Sequence, residues 1–505
     1  MISREKKVCI GAVAGLVTAI IGVVLIPVVD YIVKEQVKEK VTLVNGSYLY
    51  DVWKEPPMPI YLQVYMFNLT NPKEVKKGQK PYVVEKGPYT YREERIKFDI
   101  VFNDNGTVSY RQKRLFTFIR EMSVGDDEVD MITTVNPALL ALIEGIGIFG
   151  EFVKKIIVNI VGAQEDIFIT RTIKELVWGY VDPSLKLAHS LLPFLIYTDF
   201  IGYFMNKNNT DDGVYTVYTG KHNIDLLGTI DRYNGSKYLN FWSTPWANLI
   251  NGSDGTINKP FLEDQKYLYF FSSDICRAAY GEYTSNTKTK HGIKLHRYTG
   301  TATELANKTI NPDNAGFCTK RSGCLGTGLL DLSICTNVDH FPIPTVMSFP
   351  HFYMADEKFI QGVYGMSPSK DKHETTVDVD PITGLLLQAS KKLQINMHIV
   401  NNTDVLVSKG IKEVFLPVLW LDENMVIDDK NADKINNMLF LPMYIAQVVE
   451  ITLIAGGSLI FLFSLFLAQR FHYLKKKAVS QSQDRKPLLN KDLVHDSYSN
   501  SCLST

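Results

Sequence analysis

VCIGAVAGLVTAIIGVVLIPVV, residues Val8–Val29, and ITLIAGGSLIFLFSLFLA, residues Ile451–Ala468, are the two stretches that decide the architecture of this chain of 505 residues. Neither stretch contains a charged residue. A helix needs roughly 17–25 mostly apolar residues to cross the hydrocarbon core of a bilayer. We therefore expect two transmembrane helices, over residues 8–29 and 445–468, one at each end of the chain.

Basic residues flank both runs on their outer sides. Lys6 and Lys7 precede the first run, and Lys475, Lys476 and Lys477 follow the second. Short flanks rich in Lys and Arg stay in the cytosol. This predicts cytosolic tails over 1–7 and 469–505 and a lumenal or extracellular domain over 30–444. The first run exceeds the roughly 7–15 apolar residues of a cleaved signal peptide, so an uncleaved anchor is the favoured interpretation.

Asn-x-Ser/Thr sequons are confined to the predicted lumenal domain. They begin at Asn45, Asn68, Asn105, Asn208, Asn234, Asn251, Asn307 and Asn401. One sequon carries little information, but eight between the two apolar runs and none in the tails indicate a glycosylated surface.

The six cysteines fall into two groups. Cys9 lies in the first apolar run and Cys502 in the C-terminal tail, where each could carry a lipid or stay a thiol. The others lie within one stretch of the oxidising side, at Cys276, Cys318, Cys324 and Cys335. An even number there predicts two disulfides with three pairings open. A zinc site is disfavoured because the short Cys-x2-4-Cys spacing is absent.

Strand-like segments rich in Val, Ile, Tyr and Phe predominate in the middle of the chain. They are Ile60–Phe67, Phe98–Phe102, Val108–Ile119, Val214–Thr219, Lys266–Phe271, Leu393–Val400 and Val414–Leu419. Asn105-Gly106 between two of them predicts a tight hairpin.

A helical block interrupts these strands. Asn136-Pro137 starts it, three glycines within 145–150 predict a break in it, and Thr172–Glu175 has the spacing of a capping box. Asp182-Pro183 opens a further helix over Ser184–Leu192. Apolar residues follow helical spacing at Phe149, Phe152, Val153, Ile156, Ile157 and Ile160. By itself this stripe favours a core-facing helix over a ligand-receiving surface.

Enzyme signatures are missing from the sequence. Residues 251–255 have Asn where a nucleophile elbow needs its first Gly, and His373-Glu374 lacks the second His of a zinc protease motif. Neither a P-loop nor a dinucleotide fingerprint occurs. Lys plus Arg and Asp plus Glu number 54 each, a balance that argues against nucleic acid binding. We expect no catalysis, no cofactor and no metal.

The C-terminal tail carries a sorting pattern, with Asp484 four residues before Leu488-Leu489. It resembles the acidic dileucine signal that clathrin adaptors bind in extended cytosolic peptides. The pattern predicts a lysosomal or late endosomal membrane, with the plasma membrane as the alternative.

Seven segments, taken in order, resemble the class B scavenger receptor family over nearly the whole chain. They are Glu85–Tyr91, Glu175–Tyr180, Ser272–Arg277, Asp313–Cys318, Met347–Tyr353, Asp378–Gly384 and Pro417–Trp420. The resemblance implies an α+β ectodomain with an antiparallel β-barrel-like core, a helical bundle cap over about 137–192 and an internal apolar tunnel. It also implies the disulfides Cys276–Cys335 and Cys318–Cys324.

The resemblance further implies a receptor and lipid-transfer function whose ligand surface lies on the helical cap. The implied ligand residues are Phe149, Phe152, Val153, Lys154, Lys155, Ile156, Ile157 and Ile160. The implied partners are lipids (sterol, phospholipid or fatty acid) or lipoprotein particles, with a lumenal protein cargo and a homo-oligomer as further options. A lysosomal member of the family has a His in its ligand helix for pH-dependent release of an enzyme, whereas Gly145–Lys155 contains none. The loop Gly162–Asp166 is acidic where fatty-acid-binding members are basic.

Overall fold

The computed structural model describes residues 3–163, 166–401 and 405–483. The chain forms two compact units. One combines the chain ends, Met1–Gln36 with Asp433–Thr505, and is called the paired-helix unit below; the other is Val37–Ala432, called the large unit. The large unit is narrower than the predicted ectodomain of 30–444 because the terminal helices continue beyond their apolar runs.

Helices occur at both ends of the described chain and at intervals between them. They are α1 (Arg4–Val41), α2 (Tyr48–Lys54), α3 (Pro72–Val75), α4 (Pro137–Gly145), α5 (Glu151–Gly162), α6 (Ile173–Trp178), α7 (Pro183–Leu191), α8 (Pro245–Asn248), α9 (Glu357–Gly362), α10 (Lys370–His373), α11 (Asp429–Ile435) and α12 (Leu441–Gln483). Short 3-10 turns occur at Arg120–Met122, Ile224–Leu226, Ser273–Ile275, Pro312–Phe317, Pro350–Phe352 and Leu406–Ser408, and a π turn at Asn436–Phe440.

The strands of the described residues all belong to the large unit. They are β1 (Ile60–Leu69), β2 (Val83–Phe102), β3 (Thr107–Phe118), β4 (Met131–Val135), β5 (Phe168–Thr172), β6 (Tyr180–Val181), β7 (Phe200–Ile201), β8 (Thr210–Tyr218), β9 (Ile230–Tyr233), β10 (Tyr267–Ser272), β11 (Arg277–Lys288), β12 (Lys294–Thr299), β13 (Leu330–Asp331), β14 (Asn337–Val338), β15 (Phe341–Pro342), β16 (Thr345–Ser348), β17 (Thr376–Val379), β18 (Leu386–Ile399) and β19 (Val414–Val426).

Thirteen strands form one antiparallel sheet in the order β10-β11-β12-β17-β18-β19-β1-β2-β3-β8-β9, with β16 on β18 and β13 on β16. The two outer strands are linked by the segment at Gly252-Ser253. Ile230 of β9 donates its N–H to Gly252 O, and Phe271 of β10 donates to Ser253 O, both at 2.9 Å. The sheet is therefore nearly closed into a barrel, as the β-barrel-like prediction requires, and its edge strands are covered.

The predicted strands are confirmed, but β2 is far longer than its predicted Phe98–Phe102 part. The missed part carries Glu93, Arg95 and Lys97 at alternate positions, and these side chains face the interior. Charges on the inner face hide the usual apolar alternation of a strand. The hairpin prediction is confirmed, since Phe102 pairs with Val108 and Gly106 has φ +77°.

The helical cap, α4 to α7, forms as the local signals predict. Asn136 caps α4 and Asp182 caps α7 through bonds to backbone N–H groups, and Asn136 Nδ2 donates to Asp182 Oδ2 at 2.9 Å. The Thr172 capping box is present. The glycine break between α4 and α5 is confirmed; a Cβ at Gly145 would collide with the ring of Phe341.

One apolar core joins the cap to the sheet. It includes Leu139 and Leu142 of α4, Ile157 of α5 and Met66 and Leu419 of the sheet, all 0% exposed. Burying such side chains stabilises the fold by roughly 1.5–3 kcal/mol each. The cap is thus part of the folded core rather than an appended module.

In the paired-helix unit, α1 and α12 are long and apolar enough to cross a membrane. Their backbones are in contact at Gly15 and Gly457, where a Cβ on either residue would lie within 2.8 Å of the other's carbonyl oxygen. Small residues let transmembrane helices approach this closely. Gly15 of α1 and Gly457 of α12 therefore allow the chain's two long apolar helices to pack closely.

Candidate ligand-binding site

The predicted ligand residues, on α5 and just before it, divide into two groups. Phe152 is 71% exposed and Lys155 is exposed, while Phe149, Val153, Lys154 and Ile156 are half-buried. Ile157 and Ile160 are 0% and 1% exposed and belong to the core. Of the predicted set, these two isoleucines are therefore the ones that solvent does not reach.

Exposed apolar side chains also occur on neighbouring parts of the cap. Ile148 precedes α5, Leu187 and Leu191 lie on α7, and Phe194 and Tyr197 follow it. These side chains extend the exposed apolar surface of the cap beyond α5. Phe149 is less accessible, since its ring packs 4.9 Å from that of Phe341.

Two neighbouring cavities of the large unit share lining residues. The cap-side chamber has a volume of about 280 Å³ and is lined by Phe116, Pro137 and the segment 201–205, among others. The α2-side chamber has a volume of about 210 Å³ and is lined by Trp53 of α2, Phe270 and others. Most of the lining of both chambers is apolar, as is typical of sites for apolar ligands.

The two chambers share part of their walls. Ile275, Lys391, Leu393 and Glu423 line both. The chambers are therefore neighbours, with strands β18 and β19 contributing to the wall of both.

Charged side chains concentrate where the chambers meet. We call this set the charged waist: Glu93 and Arg95 of β2, Arg114 of β3, Lys391 of β18, Glu423 of β19, with Lys207 from a loop and Asp274 from the 3-10 turn Ser273–Ile275. Arg95 donates to Glu93 at 2.8 Å and also to Glu423. Arg114 donates to both oxygens of Asp274, at 3.0 and 3.1 Å. Glu93, Arg95 and Arg114 are the most buried of the set, and charged groups this deep are uncommon unless they are paired.

The carboxyl groups of the waist differ in their pKa values. Burial raises the pKa of Glu93. Burial acts in the same direction on Glu423, but Arg95 and Lys391 overcome it and hold its pKa at about 2. Arg114 and Lys207 likewise overcome burial and hold the pKa of Asp274 well below its usual range. Glu93 is thus the carboxyl of the waist that takes up a proton first as the pH falls.

A second titratable cluster lies in the core of the large unit. His351 accepts at Nδ1 from the Ser367 N–H, so its Nε2 carries the proton and donates to Glu85 Oε2 at 2.7 Å. Trp420 Nε1 donates to the same oxygen at 2.7 Å. His373 stacks on His351 with ring centroids 4.5 Å apart. Burial, and then the neighbouring His351, lower the pKa of His373 to about 4.

All eight predicted sequon asparagines lie in the large unit, and none is buried. Exposed are Asn45, Asn105, Asn208, Asn234 and Asn401; half-buried are Asn68, Asn251 and Asn307. Two of the half-buried side chains form hydrogen bonds. Asn68 Oδ1 accepts from the Thr133 N–H at 2.8 Å, and Asn307 Nδ2 donates to Leu325 O at 2.6 Å.

The structure joins Cys276 to Cys335 and Cys318 to Cys324, the pairing that the family resemblance implies. The first disulfide lies in the wall of the cap-side chamber. The sorting residues Asp484, Leu488 and Leu489, like Cys502, lie outside the described residues.

The charged waist was not found from the sequence. Its strongest available signal was the alternation of Glu93, Arg95 and Lys97 in a stretch that otherwise pairs as a strand. The remaining members are distant in sequence, and only the closure of the sheet brings them together.

Comparisons with known proteins place these features in a family. The family model described as the CD36 family matches residues 13–468. The chain is 39% identical over 426 residues to lysosome membrane protein 2 of Homo sapiens, covering 84% of this chain and 87% of that protein. It is 35% identical over 466 residues to scavenger receptor class B member 1 of Cricetulus griseus, covering 91% of this chain and 89% of that protein. It is 32% identical over 507 residues to the Mus musculus protein of the same name, covering 99% of this chain and 97% of that protein.

The predicted resemblance is confirmed, and with it the two-pass membrane topology that α1 and α12 indicate. The relatives carry receptor and membrane-protein names, which agrees with the absence of enzyme motifs from the sequence. On the family model and these identities, the chain belongs to the CD36 family of class B scavenger receptors.

Proposed function

We propose that this protein is a two-pass glycoprotein receptor of endosomes and lysosomes that binds lipid or lipoprotein ligands. In this proposal the ligand meets the exposed apolar side chains of the cap, and apolar lipid then crosses the large unit to the membrane. The observation that carries the proposal is the pair of mostly apolar chambers with common wall residues.

The physical advantage of such a path comes from the hydrophobic effect. Moving an acyl chain or sterol through water exposes apolar surface at a cost of about 0.8 kcal/mol per CH₂ group. A route lined by side chains such as Phe116, Phe270 and Leu393 keeps that surface covered. The waist then becomes the point at which a lipid passing between the chambers meets charge.

The proposed location rests on the tail signal at Asp484, Leu488 and Leu489 and on the relative named lysosome membrane protein 2. A clathrin adaptor is the proposed partner for this signal. In cells, Leu488→Ala/Leu489→Ala should move a tagged protein from lysosomes to the plasma membrane. Wild-type protein that already resides at the surface would contradict this part of the proposal.

Lipid identification tests the ligand class. Full-length protein purified in detergent should yield, on extraction and mass spectrometry, sterol, phospholipid or fatty acid in amounts comparable to the protein. The same extraction from an unrelated two-pass glycoprotein is the control. Protein that carries no more lipid than the control would contradict the proposal.

A surface scavenger receptor for lipoproteins or apoptotic cells is the second candidate, supported by the identity to scavenger receptor class B member 1. The location experiment separates it from the first. A sorting receptor for a lumenal enzyme is the third, supported by the identity to lysosome membrane protein 2. Pull-down from lumenal extracts at neutral and acid pH, finding no protein partner at either, would reject it.

A further inference from the structure

A third cavity of the large unit is a small groove beside strands β10 and β11. It has a volume of about 160 Å³, and five aromatic residues line it: Trp246, Tyr267, Tyr269, Tyr280 and Phe317. Alternate residues of a strand point to opposite faces, and Phe270, which follows Tyr269, lines the α2-side chamber instead. We call this cavity the aromatic groove. It lies across the sheet from that chamber, with Tyr280 bordering both.

The aromatic rings of the groove keep part of their surface accessible. The ring centroid of Tyr280 lies 5.5 Å from that of Tyr267 and 5.7 Å from that of Tyr269, and all three side chains are half-buried. Trp246 of α8 is 54% exposed. The face of an aromatic ring carries partial negative charge and the C–H hydrogens of a sugar carry partial positive charge. Accessible rings of this kind therefore suit the C–H face of a pyranose sugar.

Polar groups lie beside these rings. Asn311 and Asp313 belong to the groove wall, and Asp313 is exposed. Within the described part of the chain, neither the Asp313 carboxylate nor the Tyr269 hydroxyl has a hydrogen-bond partner. A carboxylate accepts hydrogen bonds and a phenol both donates and accepts them. The groove thus combines aromatic surface with groups that can bind the hydroxyls at the edge of a sugar ring.

The asparagine of one predicted sequon, Asn251, lies in the wall of the aromatic groove. The backbone beside it is fixed on β10. Ser253 donates its N–H to Tyr269 O at 3.1 Å, and at Gly252, where φ is +87°, a Cβ would lie 2.1 Å from the same oxygen. The Asn251 side chain forms no hydrogen bond to the described residues. Its Nδ2, the atom to which an N-linked glycan is joined, is therefore available next to the tyrosines.

Covalent attachment decides which sugar occupies the groove. A single contact between a sugar and an aromatic ring is weak, and a free saccharide would need a high concentration to fill the site. A group joined by a short linker has an effective concentration in the millimolar range. A glycan on Asn251 therefore occupies the groove ahead of any free saccharide.

We propose that the first sugars of an N-linked glycan on Asn251 pack into the aromatic groove, against Tyr269 and Trp246, and form part of the folded surface of the large unit. This inference rests on the glycosylated surface in the proposed function and goes beyond it, because it separates Asn251 from the other sequons. A glycan on Asn105, an exposed residue at a hairpin turn, extends into solvent instead.

Quenching of tryptophan fluorescence by acrylamide measures how far the groove is covered. The chain has five tryptophans. Trp246 is the most exposed of them; Trp178 is half-buried, and the other three, Trp53, Trp242 and Trp420, are at most 5% exposed. Quenching therefore reports mainly on Trp246. The samples are full-length glycosylated proteins in detergent, namely wild type, Asn251→Gln and, as the control that loses a glycan elsewhere, Asn105→Gln.

Site-specific mass spectrometry should find a glycan on Asn251 of the wild type. Because an N-linked glycan is bulky, its loss in Asn251→Gln should raise the quenching constant by about twofold, while Asn105→Gln should behave as wild type. Trp246→Phe keeps an aromatic ring and removes the reporter, so adding Asn251→Gln to this variant should leave the quenching constant unchanged.

A second measurement uses the wild type and does not depend on the folding of any variant. Peptide N-glycosidase acting on the folded protein should release the glycan of Asn251 about tenfold more slowly than that of Asn105, since stacked rings must separate first. Asn307 is half-buried like Asn251 but lies outside the groove wall, and it controls for burial of the asparagine itself. Its glycan should be released faster than that of Asn251.

Three outcomes would overturn the inference. An Asn251 without a glycan, in protein whose other sequons carry glycans, would remove the occupant. Equal quenching in wild type and Asn251→Gln, or release at Asn251 as fast as at Asn307, would mean that the glycan does not pack into the groove. Protein without a glycan at any sequon would contradict the glycoprotein part of the proposed function as well.

Discussion

His373 is expected to make the large unit less stable at acid pH. Its side chain is 3% exposed, lies edge-on to Trp420 at 5.7 Å and accepts at Nδ1 from the Ser369 N–H at 3.0 Å. Glu85 favours its charged form, whereas His351, Lys372 and Lys392 oppose it. Burial and these three residues together outweigh Glu85, so the pKa of His373 is about 4 against an ordinary value of about 6.5.

The sign follows from proton binding. Below about pH 6.5, His373 is protonated in the unfolded chain but stays neutral in the folded chain. The free energy of unfolding therefore falls as the pH falls. At 1.36 kcal/mol per pH unit, the loss between pH 7 and pH 5 is about 2 kcal/mol. The loss ends below about pH 4, where both states are protonated.

The test compares chemical unfolding of full-length wild type and His373→Gln in detergent at pH 7 and pH 5. Gln keeps an acceptor for the Ser369 N–H but does not titrate. His373→Gln should lose about 2 kcal/mol less than wild type on acidification. Val363→Ala, a core truncation, should lower stability equally at both pH values. Equal pH dependence in wild type and His373→Gln would refute the reasoning.

Three further predictions concern the disulfides, the core packing and the helix capping of the large unit. Replacing both cysteines of Cys276–Cys335 by serine should lower the free energy of unfolding by about 4 kcal/mol, and the same change at Cys318–Cys324 by about 2 kcal/mol, because the bonds close loops of 59 and 6 residues. Non-reducing peptide mapping checks the two bonds, and chemical unfolding checks that loss of the first costs more than loss of the second. Ile157→Ala should lower the free energy of unfolding by about 2–5 kcal/mol, because it truncates a core side chain. Phe152→Ala should leave the free energy of unfolding nearly unchanged and weaken ligand binding. Chemical unfolding measures the first effect and a vesicle-binding assay the second. Asn136→Ala should cost about 2–4 kcal/mol, since it removes a helix cap and leaves one buried oxygen of Asp182 without its partner; a cost below 0.5 kcal/mol would contradict the capping role.

The sequence specified the elements whose signals are local. The caps at Asn136, Thr172 and Asp182 and the hairpin at Gly106 depend on a few adjacent residues, and each appears in the structure. Most of β2 was missed because its inward positions carry Glu93, Arg95 and their neighbours. Pattern rules assume that inward positions are apolar, and a charged interior violates that assumption.

The candidate site was less predictable than the fold. Helical spacing placed Ile157 and Phe152 on one stripe, but it could not tell which of them faces the core and which faces solvent. The cysteine positions alone left three pairings open. The waist unites residues as distant as Arg95 and Glu423, a meeting that depends on β1 lying between their strands. Long-range registers of this kind leave no local trace in the sequence.

The central proposal is that lipid crosses the large unit through its two chambers. Ala389 of β18 lines the α2-side chamber, so Ala389→Trp places a bulky ring in the path, while Ala389→Ser at the same position keeps it open. Val129→Trp adds the same ring at an exposed site away from the chambers. The decisive measurement is the rate of labelled sterol transfer from donor particles into vesicles that contain the full-length protein. The proposal predicts that Ala389→Trp reduces the rate to that of protein-free vesicles while both controls transfer as wild type, and equal rates for Ala389→Trp and wild type would contradict it.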